Sequence, residues 1–324
     1  MGYSAEQYEA LYAELGKDQS IDLHHERVSA QRIRAIKAGE MLYLSSFPIW
    51  KTAADGGRAK KACPSRDVQR RLNQRRSRLK TEMMMNANFG EGSFYLTMTY
   101  TETPRAGMRI DAEYYRDEPE DEREAQANMS KYIRALKKLA KRLGGDPARL
   151  KWLYVTEATY TRHANADMDH ARFHHHMVVD SDVGNGVHLT RDQVEDTWRD
   201  MPFASGRTRC DRVQPDKNGI SALAAYFTKT EDGKPDGKDA LGRERYRQLC
   251  HHSRNLIKPE EHASVSDRKI SRYRVSKVVK DVLRDGVQIF EALYPDYECT
   301  EAPTVYISDY CAGAYINCRM RRRR

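Results

Sequence analysis

The chain has 324 residues, with 56 Lys and Arg against 47 Asp and Glu, a net charge of +9, and 39% hydrophobic residues. That length holds one large domain or two small ones with a buried core, but no apolar run approaches the roughly 20 residues that cross a bilayer, and "MGYSAEQYEALYAELGKDQS" has neither the charged start nor the apolar stretch of a signal peptide. Six cysteines (Cys63, Cys210, Cys250, Cys299, Cys311, Cys318) match neither a zinc ribbon nor a disulfide framework, so the expectation is a soluble, cytoplasmic protein of a reducing compartment with no membrane partner.

The charge is unevenly spread. Fifteen Lys and Arg stand between Arg27 and Lys80 against three acids, Glu40, Asp55 and Asp67, and "CRMRRRR" reads as a basic tail. Eight acids fall between Asp111 and Glu124. Basic clusters suit a polyanion, and nucleic acid is the usual one because its condensed counterions are released on binding. A solvated basic face explains the same numbers, so charge alone decides nothing.

In chain order, residues 1–63 read as a basic, partly helical extension. Pro64-Ser65 starts a helix with Ser65 as N-cap; Val68, Leu72, Leu79 and Met83 form its narrow apolar stripe, and Arg70, Arg71, Arg75, Arg76 and Arg78 fill much of the rest. "SFYLTMTY" alternates as a strand, with Phe94, Leu96, Met98 and Tyr100 on one face and Tyr95, Thr97 and Thr99 on the other. The acidic stretch 111–124 reads as a solvated loop or helix lead-in. An amphipathic helix follows, with Met129, Tyr132, Ile133, Leu136, Ala140 and Leu143 inward, stopped by Gly144-Gly145. "KWLYVTEA" is apolar on both faces, as a covered strand would be, and "RFHHHMVV" is its neighbour after a polar connection. Thr190 and Gln193 form a capping box for a helix carrying Val194 and Trp198; "TRCDRV" is a short strand, and "ISALAAYFTK" a helix.

The order from Ser93 is therefore β-α-β-β-α-β and then a helix, the split βαβ, ferredoxin-like arrangement of an α+β fold: an antiparallel sheet with helices on one face. This domain is expected over residues 64–230. Residues 231–324 read as a polar, Gly-rich connector, a helix near 267–284 and short strands at "TVYI" and "AYINC".

The run "ARFHHHMVVD", Ala171–Asp180, admits three readings: a surface accident, a structural zinc site, or metal ligands on a strand. The strand period of two sorts it. Phe173, His175, Met177 and Val179 face the core, with His175 partly buried; His174 and His176 project in parallel on the opposite face, where they can share one ion. Two imidazoles with open positions suit a divalent cation that also binds substrate. The partner strand ends at Glu157, a harder third ligand, and such a set tolerates Mn²⁺ or Mg²⁺ with phosphate oxygens completing the shell. No cysteine pair lies near to favour zinc. If the register shifts, His175 replaces a ligand. His163, His170, His188, His251 and His252 read as surface histidines.

On the helix near 220–229, Ile220, Leu223, Ala224 and Phe227 cluster as the buried stripe at 100° per residue. Tyr226 falls on the opposite face with Lys229 and Ala222, so it is not the residue that holds this helix to the core. Packing is the usual role of a tyrosine, but a phenolate also attacks phosphorus when cations stabilise it.

The ordered set "FYLTMTY", "HHHMVV" and "YFTK" resembles the three motifs of HUH-endonuclease replication initiators, most nearly the phage and plasmid group that includes filamentous-phage gene II proteins, and "HSRNLIKPE" at 252–260 resembles a downstream part of that group. The resemblance spans roughly 70–260. It implies His174, His176 and Glu157 as ligands of Mg²⁺ or Mn²⁺, Tyr226 as nucleophile on the scissile phosphodiester, and Lys229 as assisting at the phosphate or the active-site metal. The products would be a 5′-phosphotyrosine link and a free 3′-OH that primes rolling-circle synthesis. Arg70, Arg71, Arg75, Arg76, Arg254 and Lys258 are the candidates for contacts to single-stranded or origin DNA. The tyrosine follows the histidine strand by about fifty residues, the order of replication initiators and of single-tyrosine transposases, whereas conjugative relaxases reverse it. No G-x-x-x-x-G-K-[ST] occurs, so unwinding would need a separate helicase, and synthesis a polymerase. The reading from another class is a non-catalytic single-stranded nucleic-acid-binding protein, with Phe94 and Tyr95 stacking bases on the sheet and the histidines incidental.

Overall fold

The computed structural model describes residues 28–50, 66–101, 116–161, 170–204, 206–228, 250–261, 268–308 and 311–323. It is an α+β protein with two antiparallel sheets and, among the described residues, six α-helices. The chain divides into two compact units: residues 1–87, 216–219 and 258–324, and residues 88–215 and 220–257. No helix among the described residues is long and apolar enough to cross a membrane.

The first unit begins with β1 (Val28–Ala38) and β2 (Met41–Trp50), antiparallel and joined through Gly39 and Glu40. Gly39 has φ +61°, the backbone of a tight hairpin turn whose first central residue is Gly, and a Cβ there would run into the Asn86 carbonyl. This hairpin corrects the partly helical reading of the region within its described part. Alanines at 35 and 38 and a buried Gln31 blur the period-two signal, and Met41 to Leu44 are buried on both faces. β1 also pairs with β8 (Glu260–Glu261) and β9 (Arg268–Ile270); β12 (Cys311–Arg322) joins β2, β10 (Tyr297–Cys299) and β11 (Thr304–Ser308).

Helix α1 (Arg66–Asn88) packs Met83 and Ala87 on Ala38, Met41 and Tyr43. Its expected stripe is corrected: Leu79 is exposed, as are residues 75–80, while Thr81, Glu82, Met84 and Met85 are buried, because only the last turns lie against the sheet. Ser65 and the side chains of Val68 and Leu72 lie outside the described residues. The arginine-rich end is not a free tail. Arg319 pairs with buried Glu82 at 3.2 Å and with Glu301 at 3.4 Å, and Arg323 with Glu291 at 2.8 Å, so strand pairing and ion pairs tie it into the fold.

The second unit holds β3 (Ser93–Thr99), α2 (Glu122–Arg142), β4 (Trp152–Thr161), β5 (His170–Asp180), α3 (Arg191–Arg199), β6 (Thr208–Arg212), α4 (Ser221–Phe227) and β7 (His251–His252). The sheet order is β6-β3-β5-β4-β7, with every neighbour antiparallel. Local chemistry sets the helix ends. Asp121 caps α2 by accepting from the Glu124 N–H at 2.9 Å. Gly144, at φ +88°, closes the other end: its N–H donates to the Lys141 carbonyl and the Gly145 N–H to that of Ala140, the paired bonds of a Schellman stop. Thr190 and Gln193 make the capping box of α3.

Helices α2 and α3 cover the sheet face that carries Leu96, Met98, Phe173 and Met177. Leu139 takes the inward place expected of Leu143, which is exposed where the helix has already ended. The acidic stretch is also not all solvated: the Glu118 carboxylate is buried, accepts from Thr101 Oγ1 at 2.7 Å and from the Phe173 N–H at 3.1 Å, and has its pKa raised by that burial.

His175 is fully buried, more deeply than expected, between Tyr100 Oη at 2.7 Å from Nε2 and Thr156 Oγ1 at 2.8 Å from Nδ1. Burial, then the charges of His174 and His176, press its pKa well below the ordinary value. The ring is therefore neutral, with one donor and one acceptor nitrogen, and two hydroxyls satisfy both. Tyr100→Phe keeps the ring packing but leaves a buried nitrogen without its hydroxyl. The expected cost is about 1–3 kcal/mol in urea denaturation at neutral pH; an unchanged midpoint would show that this bond contributes nothing.

Candidate metal and tyrosine site

The site begins with strand register. β4 and β5 pair so that Glu157 stands opposite His174 and Val155 opposite His176, while β3 places Thr97 opposite His176 on the other side. Directly opposite residues hold their Cβ atoms about 4.5–5.5 Å apart, and alternation sends His174, His176 and Glu157 to the face that α2 and α3 do not cover. His174 Nε2 lies 3.0 Å from Glu157 Oε2, His176 Nε2 lies 3.9 Å from it, and the three ligand atoms are all within 4.8 Å of one another. Donors each about 2.1 Å from one ion stand roughly 3–4 Å apart, so this two-histidine, one-carboxylate set could hold a metal ion. The donors come from two strands, and His174 and Glu157 remain partly exposed while His176 is buried.

The far nitrogen of His176 is also engaged. Its Nδ1 lies 2.8 Å from Tyr95 Oη and 3.2 Å from Thr97 Oγ1. Burial and the charge of His174 lower the His176 pKa to about 4, with Glu157 opposing, so the ring is neutral near pH 7. Burial raises the Tyr95 phenol to about 12, which keeps its hydroxyl intact. The hydroxyls at Nδ1 can each donate or accept, so they satisfy either neutral tautomer; a cation held by the Nε2 lone pair would leave the Nδ1–H donating to Tyr95 or Thr97. Such a contact fixes ring orientation in metal-binding histidines.

Helix α4 lies on this same face, where Tyr226 and Phe227 meet the Tyr95 ring edge-on. Ile220, Ala224 and Phe227 are buried and Leu223 is half-buried, whereas Tyr226 is 39% exposed. Its Oη lies 3.3 Å from His176 Nε2, and the two rings meet edge to face at 4.7 Å. Burial, then the charge of Glu157, raises the Tyr226 pKa, so the hydroxyl is protonated as it stands.

The structure thus brings together Glu157, His174, His176 and Tyr226. Lys229 lies outside the described residues, as do the side chains of Arg70 and Arg71 on α1. Arg75 and Arg76 on α1 and Lys258 are exposed in the first unit, and Arg254 in the second. Among the other histidines, His188 and His252 are exposed, but His251 is half-buried and stacks on Tyr154 at 5.0 Å, which corrects its surface reading; His163 and the His170 side chain lie outside the described residues. Phe94 is 2% exposed in the core and unavailable to stack a base. Sequence reasoning missed Tyr95 and Thr97 as partners of His176. Their alternation put them on one face of β3, but only the pairing of β3 with β5 brings them to that ring.

Comparison with protein-family models, with curated proteins and with solved structures finds no match to this chain, so its reading rests on its own residues.

Titration with Mn²⁺ followed by calorimetry tests whether the three ligands act as one site. His174→Ala is expected to abolish binding, and Tyr95→Phe to weaken it about 10–100-fold by freeing the His176 ring. Equal affinity in Tyr95→Phe would remove that residue from the site.

Proposed function

We propose that this chain is a metal-dependent DNA nicking and rejoining enzyme of the HUH-endonuclease type, acting as a rolling-circle replication initiator. The observation that carries the reading is the 3.3 Å approach of the Tyr226 hydroxyl to His176 Nε2, beside a carboxylate and a second imidazole able to bind the same ion. The second unit supports it as well. Its βαββαβ run gives the order β6-β3-β5-β4, with strands one and two flanking strand three and all neighbours antiparallel, which is the pattern of a ferredoxin-like sheet.

In this reading Glu157, His174 and His176 hold Mg²⁺ or Mn²⁺, which when bound polarises the scissile phosphodiester and offsets the negative charge developing there. Tyr226 Oη forms a bond to phosphorus as its proton passes to solvent. The P–O3′ bond breaks, the 3′ oxygen takes a proton from solvent, and a 5′-phosphotyrosine and a 3′-OH result. Rejoining is the reverse transesterification, so bond energy is retained in the covalent link. Tyr95 and Thr97 hold His176 in place during both steps. The DNA strand reaches the tyrosine from the open side of the sheet, single-stranded or extruded, while a separate helicase and polymerase unwind and extend it.

Labelled single-stranded oligonucleotides incubated with Mn²⁺, Mg²⁺ or EDTA provide the test. A denaturation-resistant protein–DNA adduct is expected with either metal and not with EDTA, and Tyr226→Phe is expected to reduce it by more than about 10³-fold. Metal-independent binding without any adduct, unaltered by the substitution, would leave a nucleic-acid-binding protein and end the enzyme reading.

A further inference from the structure

The first unit carries a second basic surface that the site does not use. Helix α5 (Arg272–Lys280) has the sequence RYRVSKVVK, with four cationic residues and no acid. Ser271 caps it, accepting from the Arg274 N–H at 3.3 Å. Val275 and Val278 are fully buried in one cluster with Ile270, Phe290 and Ile316, so one side of the helix is fixed to the sheet. At 100° per residue, Tyr273, Lys277 and Lys280 fall within about 60° on the side opposite the valines. Arg274 and Lys280 are exposed, and Tyr273 is 67% exposed. Lys277 Nζ stands 4.8 Å from the centre of the Tyr273 ring. Arg284, in the π-helical turn Val282–Gly286 that follows, is exposed too, but it lies 4.0 Å from the Asp285 carboxylate, whose charge also reaches Lys277.

This pattern is costly for a surface without a partner. Among the described residues Tyr273 belongs to no buried core cluster, Arg274 and Lys280 have no acidic neighbour within ion-pair distance, and Asp285 offsets only part of the charge at Lys277. Like charges on a short helix repel one another. A polyanion relieves that repulsion by placing phosphates on the cations, and an aromatic ring beside them offers a face for a base or sugar. Both valines are held, so the cations are presented on a rigid frame. We propose that the outward face of α5, built from Tyr273, Lys277 and Lys280 with Arg274 on its flank, is a docking surface for the phosphodiester backbone of DNA, separate from the residues that carry the chemistry. The choice of DNA among polyanions rests on the nickase reading; the cationic, aromatic face does not.

The test uses the full chain in EDTA, with fluorescence anisotropy on a short labelled duplex and on its single strand over a series of salt concentrations. The combined variant Arg274→Glu, Lys277→Glu and Lys280→Glu is expected to bind at least one form about tenfold or more weakly at moderate salt. Its plot of log affinity against log salt should flatten by about 2–3 on a duplex, near 0.9 for each phosphate that is no longer neutralised. A matched reversal on α2, Arg134→Glu, Lys138→Glu and Lys141→Glu, changes net charge equally and is expected to cost less than a third as much. Loss confined to the single strand, accompanied by a loss in Tyr273→Ala, places a single strand on α5; loss on both forms places the backbone of either. Wild-type affinity and slope in the α5 variant, or equal losses in the two variants, overturns the proposal. Adduct formation with Mn²⁺ is scored separately, so an adduct with no α5 effect removes only the docking surface, and an α5 effect with no adduct removes only the nickase. Circular dichroism and thermal melting of each variant confirm that these exposed substitutions leave the fold intact.

Discussion

The antiparallel register of β3, β5 and β4 is the constraint on which the rest of the second unit depends. It sets Glu157 against His174 and Thr97 against His176, and it sends the residue between those histidines into the core. A slip of one residue would exchange the two faces completely. His175 would then present to the open face, two imidazoles would enter the apolar layer under α2 and α3, and no carboxylate would stand across from a ligand. Apolar residues at 173, 177 and 179 and the Tyr100 and Thr156 hydroxyls around His175 resist that slip together. The same packing that stabilises the sheet therefore aims the candidate ligands.

The two neighbouring histidines show how completely environment separates identical side chains. His175 is enclosed by hydroxyls and aromatic rings and stays neutral as a packing residue. His176, one residue on, is also held neutral, but one nitrogen faces two hydroxyls and the other faces a carboxylate and a phenol. Only the second has a nitrogen that can face an ion. Burial is common to both; what lies at the ring edges differs.

The arginines illustrate how far charge serves as a guide. The run near the carboxy end reads as a basic tail, yet Arg319 and Arg323 lie in ion pairs with Glu82, Glu301, Glu291 and Glu298, and Arg321 donates to the Asp216 carbonyl. Exposed basic side chains also stand on α1, α2 and α5, where helical geometry turns them away from the sheet. Charge in a sequence counts ions; it does not say which of them are already neutralised.

Much of the second unit was legible in the sequence. Alternation in "SFYLTMTY" and "FHHHMVV", the Thr190–Gln193 box, the Gly144-Gly145 stop and the face on which Tyr226 lies all follow from periods of two and 3.6 and from local hydrogen bonding, which act over a few residues. The hairpin at 28–50 was not legible, because its alanines and doubly buried β2 carry no clean period. Nor was the inward stripe of α1, since which turns are covered depends on how far the sheet extends beneath them. The pairing of Glu157 with His174, the hold of Tyr95 on His176 and the approach of Tyr226 to that ring were decided only in the tertiary structure. Each joins residues separated by 17 to 81 positions along the chain, and the register that brings them together is set by burial summed over a whole sheet rather than by any one segment.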